Sequence, residues 1–232
     1  MKRPPDSVYD EPALQGEVAD SLHGTRDEVW EEPGLPGTVL PAEGSGTFRD
    51  VAKRHWEGRT AGAGRQALLF FGAVLLSGVF GMACTLLKEA MEIRTALLSA
   101  VCFAPVIEEI GKTFIVLLTL ERKPWFFSGR GAVLAVCLLS GLLFATGENL
   151  LYLNVYIANP SPGVVLWRWT ACTFLHVFCC GLSGLGLAKI WREAAEKKTC
   201  GRVETAYPWY LAAILVHGLY NAGAVLFEVW QK

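Results

Sequence analysis

From Gln66 onward, hydrophobic residues occur in long runs rather than in short alternating groups. Each run extends over about 20 residues, the length at which an α-helix crosses the hydrocarbon core of a bilayer. The runs predict five spanning helices, at residues 66–87, 95–120, 131–156, 164–190 and 208–230. We therefore expect an all-α polytopic membrane protein, built as a bundle of about five transmembrane helices.

The amino-terminal part of the chain differs in composition from the rest. Residues 1–47 hold ten acidic side chains and six prolines, and such a segment cannot bury enough apolar surface to fold. We expect a disordered acidic cytoplasmic tail here. Residues 48–62 predict a juxtamembrane amphipathic segment, because Val51 and Trp56 fall on one helical face and lysine and arginine occupy much of the remainder. Residues 63–232 then form the transmembrane domain.

Lysine and arginine are distributed unevenly among the loops. They are abundant before the first predicted span, between the second and third, and between the fourth and fifth, whereas the other two loops hold few. Because cytoplasmic loops carry an excess of these residues, the pattern predicts a cytoplasmic amino terminus and a carboxyl terminus outside. The net charge of -1 gives no basic field for nucleic-acid binding.

Charged side chains interrupt the apolar runs. The stretch FAPVIEEIGKTF, residues 103–114, contains Glu108, Glu109 and Lys112, and Glu148 lies in the next span. Each ionisable group at mid-bilayer costs roughly 2.5–3.5 kcal/mol, so these four would together cost on the order of 10 kcal/mol if left alone. That is comparable with the stability of a whole domain. We therefore expect the polar groups to satisfy one another in a polar intramembrane cavity.

Depth and spacing support a single cavity. Counted from the outer helix ends at about 1.5 Å per residue, Glu108, His176, His217 and Asn221 all fall in the middle or outer part of the bilayer core. Glu108 and Lys112 are four residues apart and share one helical face. His217 and Asn221 have the same spacing, so both can point into the cavity from the last span.

The polar residues form an ordered set of motifs on successive spans. The set comprises EExxK (Glu108, Glu109, Lys112), FxxxEN (Phe144, Glu148, Asn149), a lone His176 preceded by Arg168, and HxxxN (His217, Asn221). This set resembles the PrsW family of membrane-embedded proteases, which are distantly similar to CAAX prenyl proteases and bacteriocin-processing enzymes. The resemblance covers roughly residues 66–230, and it implies that residues 63–232 are a transmembrane protease domain.

The resemblance also implies roles for individual residues. Glu108 would be the general base that activates water, with His176 helping to hold that water. His217 and Asn221 would donate hydrogen bonds to the oxyanion, as in the similar CAAX proteases. Glu109 and Lys112 would form a supporting ion pair that orients the base. The supporting residues would be Glu109, Lys112, Glu148, Asn149 and Arg168. The implied substrate is a membrane-tethered protein or peptide, such as a membrane-anchored anti-sigma factor cut on its extracytoplasmic side, and the implied location is a bacterial inner membrane.

Three alternatives stay open from the sequence. A zinc-dependent intramembrane metalloprotease would use Glu108, Glu148, His176 and His217 as ligands. The absence of an HExxH pair favours a glutamate mechanism with no cofactor. A proton-coupled transporter is a second alternative, because buried glutamate and histidine also serve proton relays. The third is a noncatalytic membrane scaffold.

Overall fold

Helices make up nearly all of the part of the chain that the structure, a computed structural model, describes: residues 48–58, 63–90 and 98–230. The helices are α1 (Phe48–Glu57), α2 (Ala63–Ala90), α3 (Ala104–Gly111), α4 (Phe114–Arg122), α5 (Arg130–Leu151), α6 (Pro162–Trp167), α7 (Thr173–Lys197) and α8 (Tyr207–Trp230). π-helical turns occur at Ser99–Phe103, Tyr152–Tyr156 and Arg168–Cys172, and 3₁₀ turns at Pro124–Phe126 and Val203–Ala206. The predicted tail, residues 1–47, and residues 59–62 of the predicted juxtamembrane segment lie outside the described residues.

Among the described residues, four helical segments are long and apolar enough to cross a membrane. They are Gly64–Lys88, Arg130–Tyr156, Pro162–Lys197 and Val203–Phe227. Large apolar side chains on their outer faces are exposed, among them Leu68 and Phe71 on α2 and Leu219 on α8. Such faces suit lipid, because in a bilayer only the polar groups must be enclosed. The prediction of an all-α polytopic membrane protein is confirmed.

The predicted span at residues 95–120, of which 95–97 lie outside the described residues, is not one continuous helix. The described part of the chain therefore holds four long spans rather than the predicted five. The helix is interrupted at Lys112 and Thr113, where Thr113 has a non-helical backbone with φ -123° and ψ 3°. Side chains from other helices stabilise this break. The Ser140 hydroxyl donates to the Lys112 carbonyl at 2.6 Å, and the hydroxyls of Thr113 and Tyr210 are 2.6 Å apart. The break therefore leaves few backbone groups unsatisfied.

The interrupted segment runs back along α2. Near the break, a Cβ atom added to Gly81 of α2 would lie 3.1 Å from the backbone nitrogen of Lys112. Further along, Ala73 of α2 belongs to the same hydrophobic cluster as Leu120 of α4. Because the residue numbers fall along α2 as they rise along α3 and α4, the two are antiparallel. The break therefore lies beside Gly81, nearer the carboxyl-terminal end of α2.

Helices α5 and α7 pack closely and antiparallel through glycines. A Cβ atom at Gly141 would lie 2.8 Å from the Cβ and Sγ atoms of Cys180 and 3.0 Å from the His176 carbonyl oxygen. One at Gly184 would lie 2.9 Å from the Cβ atom of Cys137. Small residues allow such close approach of membrane helices. The contact fixes His176 against the middle of α5.

We expect Gly141→Ala to destabilise the bundle by about 1–3 kcal/mol, because the added methyl group overpacks the contact between α5 and α7. Gly72→Ala is the matched control, since a Cβ atom there meets nothing within 4 Å. The control should be neutral or stabilising by up to about 1 kcal/mol. Equilibrium unfolding of both variants in mixed detergent micelles measures the difference. Equal effects at the two positions would contradict the close contact.

Aromatic contacts hold the carboxyl-terminal half of α1 against two loops and the end of α7. Trp56 donates from Nε1 to the Thr199 carbonyl at 2.9 Å, and its ring lies 5.8 Å from that of Trp191. The His55 ring stacks on Trp125 with centroids 4.8 Å apart. Aromatic and hydrogen-bonding contacts of this kind are typical of the membrane–water interface.

The same end of the bundle collects further loop contacts. Lys198 donates to Glu57 Oε1 at 3.0 Å, and this hydrogen bond holds the pKa of the Glu57 carboxyl below its usual range. The Gly201 N–H donates to the Leu120 carbonyl at 2.9 Å. The three lysine- and arginine-rich segments of the sequence thus meet at one end, which we call the basal end.

Candidate active site

Six ionisable side chains from five parts of the fold meet in the middle of the bundle. They are Glu108 and Glu109 of α3, Lys112 at the break, Glu148 of α5, His176 of α7 and His217 of α8. All six are buried, and Glu109 and Lys112 have no exposed surface at all. Isolated charges are costly in a bilayer, so these polar groups must bind one another. The packed helices bring them close enough to do so.

Glu109 links Lys112 to His217. Its Oε1 atom lies 2.7 Å from Lys112 Nζ and 2.7 Å from His217 Nδ1. A carboxylate oxygen accepts, so the network assigns the proton of His217 to Nδ1. The Nε2 atom of His217 then keeps a free lone pair, and this atom points toward Glu108.

His176 lies between Lys112 and Glu148. Lys112 Nζ is 2.8 Å from His176 Nδ1, and because an ammonium group can only donate, Nδ1 is the acceptor. His176 Nε2 donates to Glu148 Oε2 at 2.7 Å, and Arg168 Nη2 donates to the same oxygen at 2.9 Å. Both ring nitrogens of His176 are therefore engaged, whereas in His217 only Nδ1 is. A carboxylate that orients an imidazole in this way is a common support for reactive or ligating histidines.

Glu108 is the glutamate of the cluster whose side chain makes no hydrogen bond within the described residues. Glu109 and Glu148 each contact two donors through one oxygen, although Glu109 Oε2 also lacks a partner. The Oε2 atom of Glu108 is buried and accepts no hydrogen bond from any residue in the described part of the chain. Its neighbours are Lys112 Nζ at 3.8 Å and His217 Nε2 at 3.9 Å. An unsatisfied buried oxygen of this kind is unusual in a folded protein, and it marks a site where function is to be sought.

The two asparagines of the predicted site lie at the edge of the cluster. Asn149 donates from Nδ2 to the Arg168 carbonyl and to Thr173 Oγ1, both at 3.0 Å. Asn221 donates from Nδ2 to the Ala100 carbonyl at 2.8 Å. The amides of both residues hold neighbouring helical turns, and neither is bonded to the six ionisable side chains.

Three contributors to the site were not predicted from the sequence. Ser140 and Tyr210 stabilise the break that positions Lys112. The ring of Tyr152 lies 4.0 Å from the guanidinium carbon of Arg168. Of these three residues, only Ser140 is noticeable in the sequence, because it is a polar residue within an apolar run. The tyrosines resemble ordinary interfacial aromatics in the sequence.

Three of the buried residues have the donor types and the proximity of a metal site. One ligand atom each from Glu108, His176 and His217 lies within 4.8 Å of the others. Carboxylate oxygen and imidazole nitrogen are ligands that zinc accepts. Glu148, which the sequence included in the zinc alternative, is instead bonded to His176 and Arg168.

Comparison with known families decides what kind of protein this site belongs to. The family model for the PrsW family intramembrane metalloprotease matches residues 59–232, which is most of the chain. The chain belongs to the PrsW family. No curated protein and no solved structure matches it. Membership establishes a membrane-embedded protease whose substrate is a protein and whose surroundings are a lipid bilayer.

The residues of this PrsW protein fit a metal in chemical type. The orphaned Oε2 of Glu108 and the free Nε2 of His217 face each other and are uncommitted. His176 would ligate only after Lys112 releases its Nδ1 atom, since Glu148 accepts from the other nitrogen. Two of the three ligand atoms are thus free to bind a metal, and the third is occupied by a hydrogen bond.

Proposed function

We propose that this PrsW protein hydrolyses a peptide bond of a membrane-tethered protein with water activated by Glu108. One observation carries the proposal: the partnerless Oε2 of Glu108 lies 3.9 Å from the free Nε2 of His217. Two atoms at that separation can both contact one water molecule at hydrogen-bonding distance, about 2.8 Å from each. A carboxylate in a dry site with no competing donor is suited to accept the proton of that water.

The proposed reaction uses the surrounding groups in distinct ways. As Glu108 takes the proton, the water oxygen attacks the peptide carbonyl carbon, and Glu108 later returns the proton to the leaving amine. Glu109 holds His217 in the required tautomer, while Glu148 and Lys112 fix His176. Donation to the oxyanion by His217 and Asn221 stays a prediction.

A second candidate, a zinc-dependent reaction, is favoured by the donor set of Glu108, His176 and His217 and by the family's description as a metalloprotease. A zinc ion held by these residues would polarise the carbonyl and activate a water molecule. In that case Glu148 would support His176 as an orienting carboxylate.

The substrate and the orientation are also proposals. A membrane-anchored anti-sigma factor in a bacterial inner membrane follows from the family resemblance. A cytoplasmic amino terminus is supported by the basal end, where the three lysine- and arginine-rich segments meet. With the interrupted segment returning along α2, the carboxyl terminus is proposed to be outside.

Labelling of new peptide termini tests the proposed function. The full chain, reconstituted in liposomes, is mixed with a membrane-protein extract, and newly formed amino termini are labelled and sequenced. We expect termini that form with the native chain and not with Glu108→Gln. A scaffold or a proton-coupled transporter would form none with either chain.

Metal removal separates the two mechanisms. If Glu108 acts on water without a metal, exhaustive chelation in detergent should leave cleavage within about twofold of the untreated rate, because no step depends on an ion. A loss of about 100-fold or more that zinc alone restores would instead establish the zinc-dependent reaction. Elemental analysis of the purified chain, native and with His217→Ala, provides the control that does not rely on activity.

A further inference from the structure

We propose that Arg168 binds the peptide carbonyl of the substrate and donates to the oxyanion that forms there. This inference rests on the proposed function and assigns a substrate-contacting role to a residue that the sequence placed only in support.

Several contacts fix Arg168. Its Nη2 atom donates to Glu148 Oε2 at 2.9 Å, and the ring of Tyr152 lies 4.0 Å from its guanidinium carbon. Its backbone carbonyl accepts from Asn149 at 3.0 Å and from Thr173 at 3.3 Å. A guanidinium fixed at both ends loses little freedom when it binds a further acceptor.

The guanidinium nevertheless keeps an unused donor. Its Nε atom is buried and has no acceptor in the described part of the chain. Arginine carries five N–H donors in a rigid planar fork, and a buried donor without an acceptor is unfavourable. An added carbonyl oxygen would satisfy it.

Arg168 also borders the reacting groups on their more accessible side. It shares Glu148 Oε2 with His176 Nε2, and His176 belongs to the group of ligand atoms that lie within 4.8 Å of one another. The side chain of Arg168 is 14% exposed, compared with 5% for Glu108 and 3% for His217. A peptide that approaches from this side meets the guanidinium first and the two reacting groups next.

The other donors near the centre are engaged. The amide of Asn221 donates to the Ala100 carbonyl, and His217 donates to Glu109. Lys112 contacts Glu109 and His176. Arg168 is therefore the cation at this site with a buried donor that lacks an acceptor in the described residues.

The charge balance of the reaction suits this assignment. When water attacks, its proton moves to the Glu108 carboxylate, and the π electron pair of the carbonyl moves onto the carbonyl oxygen. One negative charge thus leaves Glu108 and appears on the oxygen beside Arg168, and the net charge of the site does not change. A prealigned donor at that oxygen stabilises the transition state more than the ground state.

Peptide binding to the Glu108→Gln protein tests the proposal. This variant is used because the neutral glutamine mimics the protonated acid and prevents cleavage. The probe is a membrane-spanning peptide of leucine and alanine whose central Gly–Gly amide is replaced by a phosphinate, a mimic of the tetrahedral oxyanion. Its amide twin represents the ground state. Adding Arg168→Gln should weaken phosphinate binding by about 100- to 1,000-fold and amide binding by only about 10-fold or less.

Controls separate binding from structural support. Arg130→Gln, at the exposed start of α5, should change neither affinity. Arg168→Lys keeps a charge for Glu148 but loses the fork, and it should still bind the phosphinate at least about 10-fold more weakly, which decides the matter if Arg168→Gln fails to fold. Equal losses for both peptides, or no loss, would overturn the proposal. Cleavage by Glu108→Gln would overturn the proposed function and leave the binding result to stand by itself.

Discussion

Replacing Glu108 with glutamine is expected to reduce peptide cleavage by about 10²- to 10⁴-fold, the usual contribution of a general base. Glutamine has nearly the same shape but cannot accept the proton of the attacking water. The nearest cation, the Lys112 ammonium group at 3.8 Å from Glu108 Oε2, has no lone pair and cannot replace the carboxylate as the base. Cleavage rates of the purified full chain, measured with a substrate found by terminus labelling, provide the test.

The stability of the Glu108→Gln protein should not fall with its cleavage activity. The Oε2 atom of Glu108 accepts no hydrogen bond in the described residues. Removing the charge of this carboxylate therefore loses few favourable contacts and removes the free-energy cost of burying it. We expect the Glu108→Gln protein to unfold at the same temperature as the native chain or a higher one, as stability and activity often trade against each other at such sites. Glu121→Gln, on the exposed surface near the end of α4, is the control for both readouts. Lost cleavage together with a lowered unfolding temperature would assign Glu108 a structural role instead.

Hydropathy predicted the helices well because it depends on side chains within one segment. The runs around residues 66–87, 131–156, 164–190 and 208–230 all correspond to continuous spans. The interruption at residues 112–113 was not predictable in this way. It depends on hydroxyl groups of other helices that satisfy its backbone and side chains.

The composition of the buried cluster followed from the cost of isolated charges, but the partners of its two histidines did not. Helical spacing makes both Glu108 and Glu109 neighbours of Lys112, at four and three residues, and the predicted ion pair is the one between Glu109 and Lys112. In the structure Lys112 Nζ lies 2.7 Å from Glu109 and 3.8 Å from Glu108. The ion pair with Glu109 thus leaves Glu108 as the carboxyl group without a close cation.

The hydrogen-bond partner of Asn221 also could not be predicted from residue spacing. It lies one helical turn from His217, so the sequence placed both in the cavity. The π-helical turn at Ser99–Phe103 brings the Ala100 carbonyl within 2.8 Å of the Asn221 amide. A π-helical turn depends on local packing rather than on a residue pattern, so this partner could not be read from the sequence.

The second large effect concerns stability. Lys112→Met should destabilise the bundle by about 3–5 kcal/mol, because it leaves the completely buried Glu109 carboxylate without its cation. The substitution also removes the donor to His176 Nδ1. Lys189→Met is the control, since its ammonium group is half-exposed and lies 4.0 Å from Glu193, a pair worth about 0–1 kcal/mol. Equilibrium unfolding in mixed micelles measures both variants.

A double substitution separates loss of charge pairing from loss of packing. If an unpaired Glu109 charge is the cause, Lys112→Met with Glu109→Gln should be more stable than Lys112→Met alone, because both charges are then absent from the interior. Packing alone predicts that the two losses add. Rescue would mean that this carboxylate and this ammonium group neutralise each other so that Glu108, one residue away, can remain without a partner. Additive losses would remove that explanation for the free carboxyl group on which the proposed hydrolysis depends.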